Sequence, residues 1–294
     1  MNTKTVKTDV RPSPIAGTWY PVSPRELQKT VDDYLAHAEP VTTDDELIAL
    51  ISPHAGYPYS GQTAAHAYRQ LQGRQYDTVV LMGPSHREDF GAYAISAKKF
   101  YWTPLGEIEL DTEFIDALAR ELPITRVQRD QEHSLEIQLP FLQCMLGTFK
   151  LVPIMMSLPF YVVGENALEP CKQLADTLAK HANAERKRIL FVASSDLSHL
   201  EDYAAVKKFD RRFADLIGAF NVPELVRYMW QGRECRACGD APIVTALLAA
   251  QTLGANRVRL LHQTNSGDVT GERERADYVV GYLAAGVYKS KTGE

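Results

Sequence analysis

Three stretches of this chain end alike. "LIALISPHAG" (47–56), "TVVLMGPSH" (78–86) and "ILFVASSDLSH" (189–199) each pass from an apolar run to a polar exit holding a histidine: His54, His86 and His199. A neutral imidazole can accept a proton or bind a metal near neutral pH. A single histidine at a strand exit has an ordinary alternative, a turn residue bonded to its own loop. Ligands of open α/β sheets bind outside the carboxyl ends of the strands, so three such exits on neighbouring parallel strands would bring three imidazoles together. A fourth group is the thiol of "CRACGDAP" (235–242). Its lone C-x-x-C lacks the second pair of a structural zinc site. It also lies late in the chain, unlike a thioredoxin-type pair near an early strand. A thiol ahead of a helix has its thiolate favoured by the helix dipole, and thiolate is the metal-binding form. The plain alternative is an inert buried cysteine.

The elements that must position these groups follow from pattern. "SPRELQKTVDDYLAHA" opens with Ser23, Pro24 and Glu26, a capped helix start, and places Leu27, Val31, Tyr34 and Leu35 on one face. A strand over 47–52 and a helix around 61–72 follow, then a strand from Thr78 to Met82 and another near 92–97. Asp111 caps a helix carrying Phe114, Ile115 and Leu118. "EHSLEIQLPFLQCML" has helical spacing, with Pro140 expected to kink or break it. "FKLVPIMMS" reads as a strand despite its proline, 165–182 as a helix and 189–194 as a third buried strand. Helices from about 201 to 220, after Asn221 and over "APIVTALLAAQTLGA" precede two closing strands, "VRLLHQT" and "ADYVVGYLAAGVY". "QTNSGDVTGERERADY" reads as a long loop able to reach the pocket through Asn265, Ser266 and Gly267. Apolar runs alternate with helices throughout, which predicts a three-layer α/β fold with a central mixed, partly parallel sheet. We expect an extended tail over 1–10 and a single domain over 11–290.

Composition narrows the function. Of 294 residues, 45% are hydrophobic and 23% charged, ordinary for a chain with a substantial core. A formal charge of −5 gives no electrostatic reason to expect nucleic acid or an anionic membrane. No run reaches the roughly 18 apolar residues of a membrane span, and "MNTKTVKTDVRPSP" lacks the apolar segment of a signal peptide. Four cysteines do not make a disulfide framework in a chain this long; they read as reduced, which predicts a cytoplasmic location. Cys144 and Cys171 fall on helical faces and read as core.

"SPHAGYPYSG", "GPSH", "EHSLEIQLPFL", "SSDLSH" and "CGDAPI" occur in the order in which the Memo family carries them, and the resemblance runs from about Arg11 to Tyr288. That family is named for a mediator of cell motility; microbial members are also labelled component B of the AmmeMemoRadiSam system. The resemblance implies a fold like the catalytic subunit of class III extradiol dioxygenases, and a metal site of two histidines and a cysteine: His54, His86 and Cys238. It also implies Asp196 and His199 as the remaining polar lining, with His133 and Glu136 nearby. Cys235 has no assigned counterpart. The label alone suggests a radical S-adenosylmethionine enzyme and an AMMECR-type protein as companions. The dioxygenases use a carboxylate where this chain has a cysteine, a departure that counts against ring-cleaving activity.

Two imidazoles and an anionic ligand leave positions for substrate. Iron(II) is the first expectation, copper the second, and zinc the alternative that would favour hydrolysis. His199 is the candidate general base, with Asp196 orienting a histidine or water; a helix N-cap is the other reading of Asp196. His133 either lines the site or bonds Glu136 at i,i+3. Tyr57 and Tyr59 either line the pocket or pack. His262, after "VRLL", is an outside candidate, whereas His37, His66 and His181 read as structural or solvated. The functions that follow are redox chemistry on a small, phenolic molecule, a metal-dependent hydrolase, or a pocket that binds metal or peptide without turnover.

Overall fold

A computed structural model of the chain describes residues 9–157, 165–184, 187–230, 237–273 and 278–291. Residues 1–8 of the tail expected over 1–10, and Cys235, lie outside the described residues. The strands are β1 (Val10–Arg11), β2 (Glu46–Ser52), β3 (Thr78–Pro84), β4 (Tyr93–Ser96), β5 (Phe100–Thr103) and β6 (Gly106–Glu109). They continue with β7 (Ile124–Val127), β8 (Lys150–Met156), β9 (Ile189–Ser194), β10 (His199–Leu200), β11 (Arg257–Asn265) and β12 (Val279–Lys289). The main sheet runs β10-β12-β2-β9-β3-β8-β4-β7, with β11 beside β12. β2, β9, β3 and β8 are mutually parallel, whereas β12 and β4 pair antiparallel to β2 and β8. This is the mixed sheet expected from the sequence. Its central parallel strands are buried on both faces, which is why they read as unbroken apolar runs rather than alternations.

Helices α1 (Pro24–Ala36), α2 (Tyr57–Tyr68), α3 (Thr112–Ala119), α4 (Leu139–Leu146) and α5 (Glu165–Ala184) precede α6 (Tyr203–Gly218), α7 (Val222–Trp230), α8 (Asp240–Thr252) and α9 (Ser266–Thr270). α2 packs on β2, β11 and β12, with α1 and α4 against it; α8 packs on β2, β3 and β9, with α5 and α7 against it. Ser23 caps α1 as read, and Leu27, Val31 and Leu35 are its buried stripe.

Several expectations need correction. The second helix, expected around 61–72, runs from Tyr57 to Tyr68, and Pro58 suits its first turn. Pro140 does not break a helix: a 3-10 turn over Glu136–Gln138 leads into α4, where the proline lies in the first turn and removes no needed donor. The supposed loop after "VRLLHQ" continues as β11 to Asn265, which then caps α9. The short strands β1, β5 and β6 form a separate three-stranded sheet that the apolar pattern did not signal. Pro153 is tolerated in central β8 for a specific reason. Leu151 O and Met155 face away from β3, and on that side β4 pairs only with Met155 and Met156. The missing N–H of Pro153 therefore points to a side where, among the described residues, no strand pairs with it.

Candidate metal centre

The parallel order β2-β9-β3 places the three strand exits side by side. His54 follows β2, His86 follows β3, and Asp196 and His199 follow β9. Cys238 precedes α8, the helix packed on those same strands. Its approach depends on Gly239, where an added Cβ would lie 2.4 Å from Ser194 O and 2.6 Å from Ser195 Cβ. The glycine of "CG" thus lets the thiol turn lie directly on the exit of β9.

Ligand atoms of His54, His86 and Cys238 lie within 4.8 Å of one another. The same holds for His86, Glu132 and His133, and for Asp196, His199 and Cys238. The expected residues therefore meet in one cluster. His54 lies at its floor, Cys238 is half-buried, and His86 and His199 stand at the solvent side. His199 stacks on Tyr278 with ring centres 5.9 Å apart, and His133 lies between Trp19 at 4.3 Å and His86 at 4.6 Å.

Donor counting shows how both candidate imidazoles are presented. Ser194 Oγ donates its one hydrogen to the main-chain carbonyl of Ser134 at 2.6 Å, and accepts from Gln138 Nε2 at 2.8 Å. The 3.1 Å contact from His54 Nδ1 to the same oxygen must then carry its proton on the ring. His86 Nδ1 meets the Glu132 carboxylate at 2.9 Å, and a carboxylate only accepts. Both rings are thereby Nδ1–H tautomers with lone pairs on Nε2. His54 Nε2 is 2.9 Å from Cys238 Sγ, a distance that a thiol proton bridges. Two Nε2 lone pairs and a sulfur around a site whose opposite nitrogens are held by a hydroxyl and a carboxylate fit a metal ion.

Electrostatics follow from burial. Desolvation, helped by neighbouring His86 and His133, drives the His54 pKa well below its usual value, so the ring is neutral at pH 7. Burial lowers His133 to about 4, despite Glu132, and also lowers His199. Burial alone would raise Glu132, but the hydrogen bond from His86 and the charge of His133 hold it well below the carboxylate range. Burial raises Asp196 to about 7, although the N–H groups of His54 and Ala55 donate to its Oδ1 at 2.7 and 3.2 Å. The expectation of a dipole-favoured thiolate is corrected for the metal-free protein: burial, with Asp196 beside it, pushes the Cys238 thiol well above 9.

Asp196 is not a helix cap; Asp202 caps α6 and Asp196 instead fixes the His54 turn. His133 and Glu136 do not bond each other, since Glu136 is fully buried against Arg11, Ser13 and Tyr20. Tyr57 packs on Tyr20 and Phe141, whereas Tyr59 is exposed. His262 lies inside β11, bonded to Thr63 and stacked on His66, away from the cluster. Cys171 is buried as expected, but Cys144 is half-exposed beside Gln28. Sequence reasoning missed Glu132, Ser194 and Gln138. Glu132 opens the "EHSLE" motif, so its adjacency to His133 was the available signal; Ser194 and Gln138 gave none.

A family model described as Memo-like protein matches residues 11–286. MEMO1 family proteins from Methanococcoides burtonii and Methanocaldococcus jannaschii are each 35% identical, covering 94% of this chain and 98% of the relative. A MEMO1 family protein from Aeropyrum pernix is 35% identical over 92% of this chain and 97% of its own length.

Proposed function

The chain belongs to the Memo family, and from that premise we propose that it binds one metal ion through His54, His86 and Cys238 and uses it for redox chemistry on a small phenolic molecule. The observation carrying this reading is the paired Nε2 presentation of a buried and a solvent-side imidazole beside a thiol. Iron(II) is the first choice and copper the second; when bound, either supplies electron transfer at positions that three protein ligands leave open.

The chain's own residues do the rest. Glu132 and Ser194 keep the ligand rings from turning, so binding costs little reorganisation. His199, neutral and on the open side, takes a proton from a substrate hydroxyl. Asp196, with a pKa of about 7, holds or releases a proton beside Cys238 and His199. His133 and Trp19 form one wall against which an aromatic ring can stack, and Tyr278 extends the mouth beside His199.

Metal analysis of protein purified without chelator tests this, with His54→Ala and Cys238→Ser alongside. About one equivalent of iron or copper, lost in both variants, followed by oxygen uptake with a panel of catechols, is the expected result. Zinc, with no oxygen uptake, would move the reading to hydrolysis. No metal under anaerobic, reducing handling would leave a binding pocket without metal chemistry.

A further inference from the structure

Arg11 is one of the largest fully buried side chains in the protein, at 1% exposure, yet it stands in the short first strand near the start of the described chain. Its Nε donates to Asp130 Oδ2 at 2.9 Å and its Nη2 to Asp130 Oδ1 at 3.3 Å. Nη1 donates to Glu136, and Nη2 also reaches the main-chain carbonyl of Glu132. Tyr101 lies under the guanidinium at 4.8 Å, and its hydroxyl donates to Asp130 at 2.6 Å. All three carboxylates of this neighbourhood, Asp130, Glu132 and Glu136, are buried.

A buried ion cluster is weak evidence for stability, because desolvation consumes much of the attraction and an apolar replacement is often as stable. What a guanidinium adds is a rigid fork of donors. Here the fork grips both ends of the 130–136 segment. Between those ends Asp130 accepts from Glu132 N at 2.8 Å, and the Glu132 carboxylate accepts from His86 N and Nδ1 and from the N–H groups of His133 and Ser134. The chain of bonds is continuous from Arg11 to the His86 ring. The same N-terminal segment touches the other ligand loop, since Trp19 O accepts from Tyr57 N, three residues after His54.

We propose that Arg11 is a positioning residue for the ligand His86, acting through Asp130 and the main chain of Glu132 to hold the Glu132 carboxylate on His86 Nδ1. The proposal rests on the metal reading above and adds that the N-terminal segment is part of the metal centre.

The test measures cobalt(II) affinity by chelator competition, with the cobalt ligand-field spectrum as second readout, at a temperature where circular dichroism shows each variant folded. Arg11→Lys keeps the charge and loses the fork; it should weaken affinity about ten- to a hundredfold and shift the ligand-field bands, as loss of an outer hydrogen-bond partner does. Glu132→Gln should fall in the same range, and the double variant should bind within about twofold of Glu132→Gln alone, because both act along one path. Leu27→Ala, a core truncation in α1, should lower the melting temperature and leave affinity and spectrum unchanged. Folded Arg11→Lys protein with wild-type affinity and spectrum would overturn the proposal while wild-type binding keeps the metal reading. Wild-type protein that binds no cobalt would overturn both. If Arg11→Lys does not fold, Tyr101→Phe decides: it removes one hydroxyl from Asp130, should cost about threefold in affinity, and overturns the proposal if it costs nothing.

Discussion

At Ser194 the single hydroxyl hydrogen is committed to Ser134 O, so the proton in the contact with His54 must come from the ring. Ser194→Ala should therefore release the His54 tautomer and lower metal affinity about ten- to a hundredfold. It should also cost about 1–3 kcal/mol of stability by stranding the buried Gln138 amide and Ser134 carbonyl, read by urea denaturation. Proton accounting gives a second expectation. In the metal-free protein the Cys238 thiol is protonated at pH 7, because burial lifts it well above 9, and His54 is neutral because burial lowers it. Metal uptake must expel the thiol proton, and Asp196, at about 7, adds a fraction of a second. Calorimetry in buffers of different ionisation enthalpy should show between one and two protons released per metal, with affinity near pH 7 rising correspondingly, by between about ten- and a hundredfold per pH unit. Release of none would exclude the thiolate as ligand. Histidines and a cysteine at element ends were readable because those residue types are uncommon there without a reason. Glu132, Ser194 and Arg11 were not, since a carboxylate, hydroxyl or guanidinium takes its role from neighbours more than forty residues away in sequence.

Among the elements, the exits of β2, β9 and β3 set out the polar groups of the site, and the Cys238 turn closes it from the α8 side. Gly239 has an ordinary negative φ, so its requirement is contact alone. Gly239→Ala should force the turn off β9, destabilise the protein by about 1–3 kcal/mol and loosen the metal site together with it. An unchanged urea midpoint would show that the turn yields freely. Buried parallel strands were legible as apolar runs, and α1 as a capped amphipathic helix. The β5–β6 pair and β7 were not, because four-residue strands with mixed burial carry too little periodicity to stand out. The proline in α4 was misread for a related reason: its cost depends on where the helix starts, which the 3-10 turn before it conceals.

Over the whole molecule, the candidate ligands come from three segments separated by 32 and 152 positions, so the site exists only once β2, β3 and the α8 entry are assembled. A ligand that binds only this assembled state must stabilise it, by about 2.7 kcal/mol at a hundred times its Kd. Thermal unfolding should accordingly move upward with added metal in the wild type and stay fixed in Cys238→Ser. The alternation of strands and helices made the three-layer architecture visible in sequence, and among the described residues no helix is long and apolar enough to cross a membrane. The most direct test of the centre is an anomalous difference map from crystals grown with the metal that copurifies, collected at its absorption edge. One peak within about 2.0–2.3 Å of His54 Nε2, His86 Nε2 and Cys238 Sγ is predicted. A map with no peak there, or a peak bound by other residues while these three remain unliganded, would contradict the account.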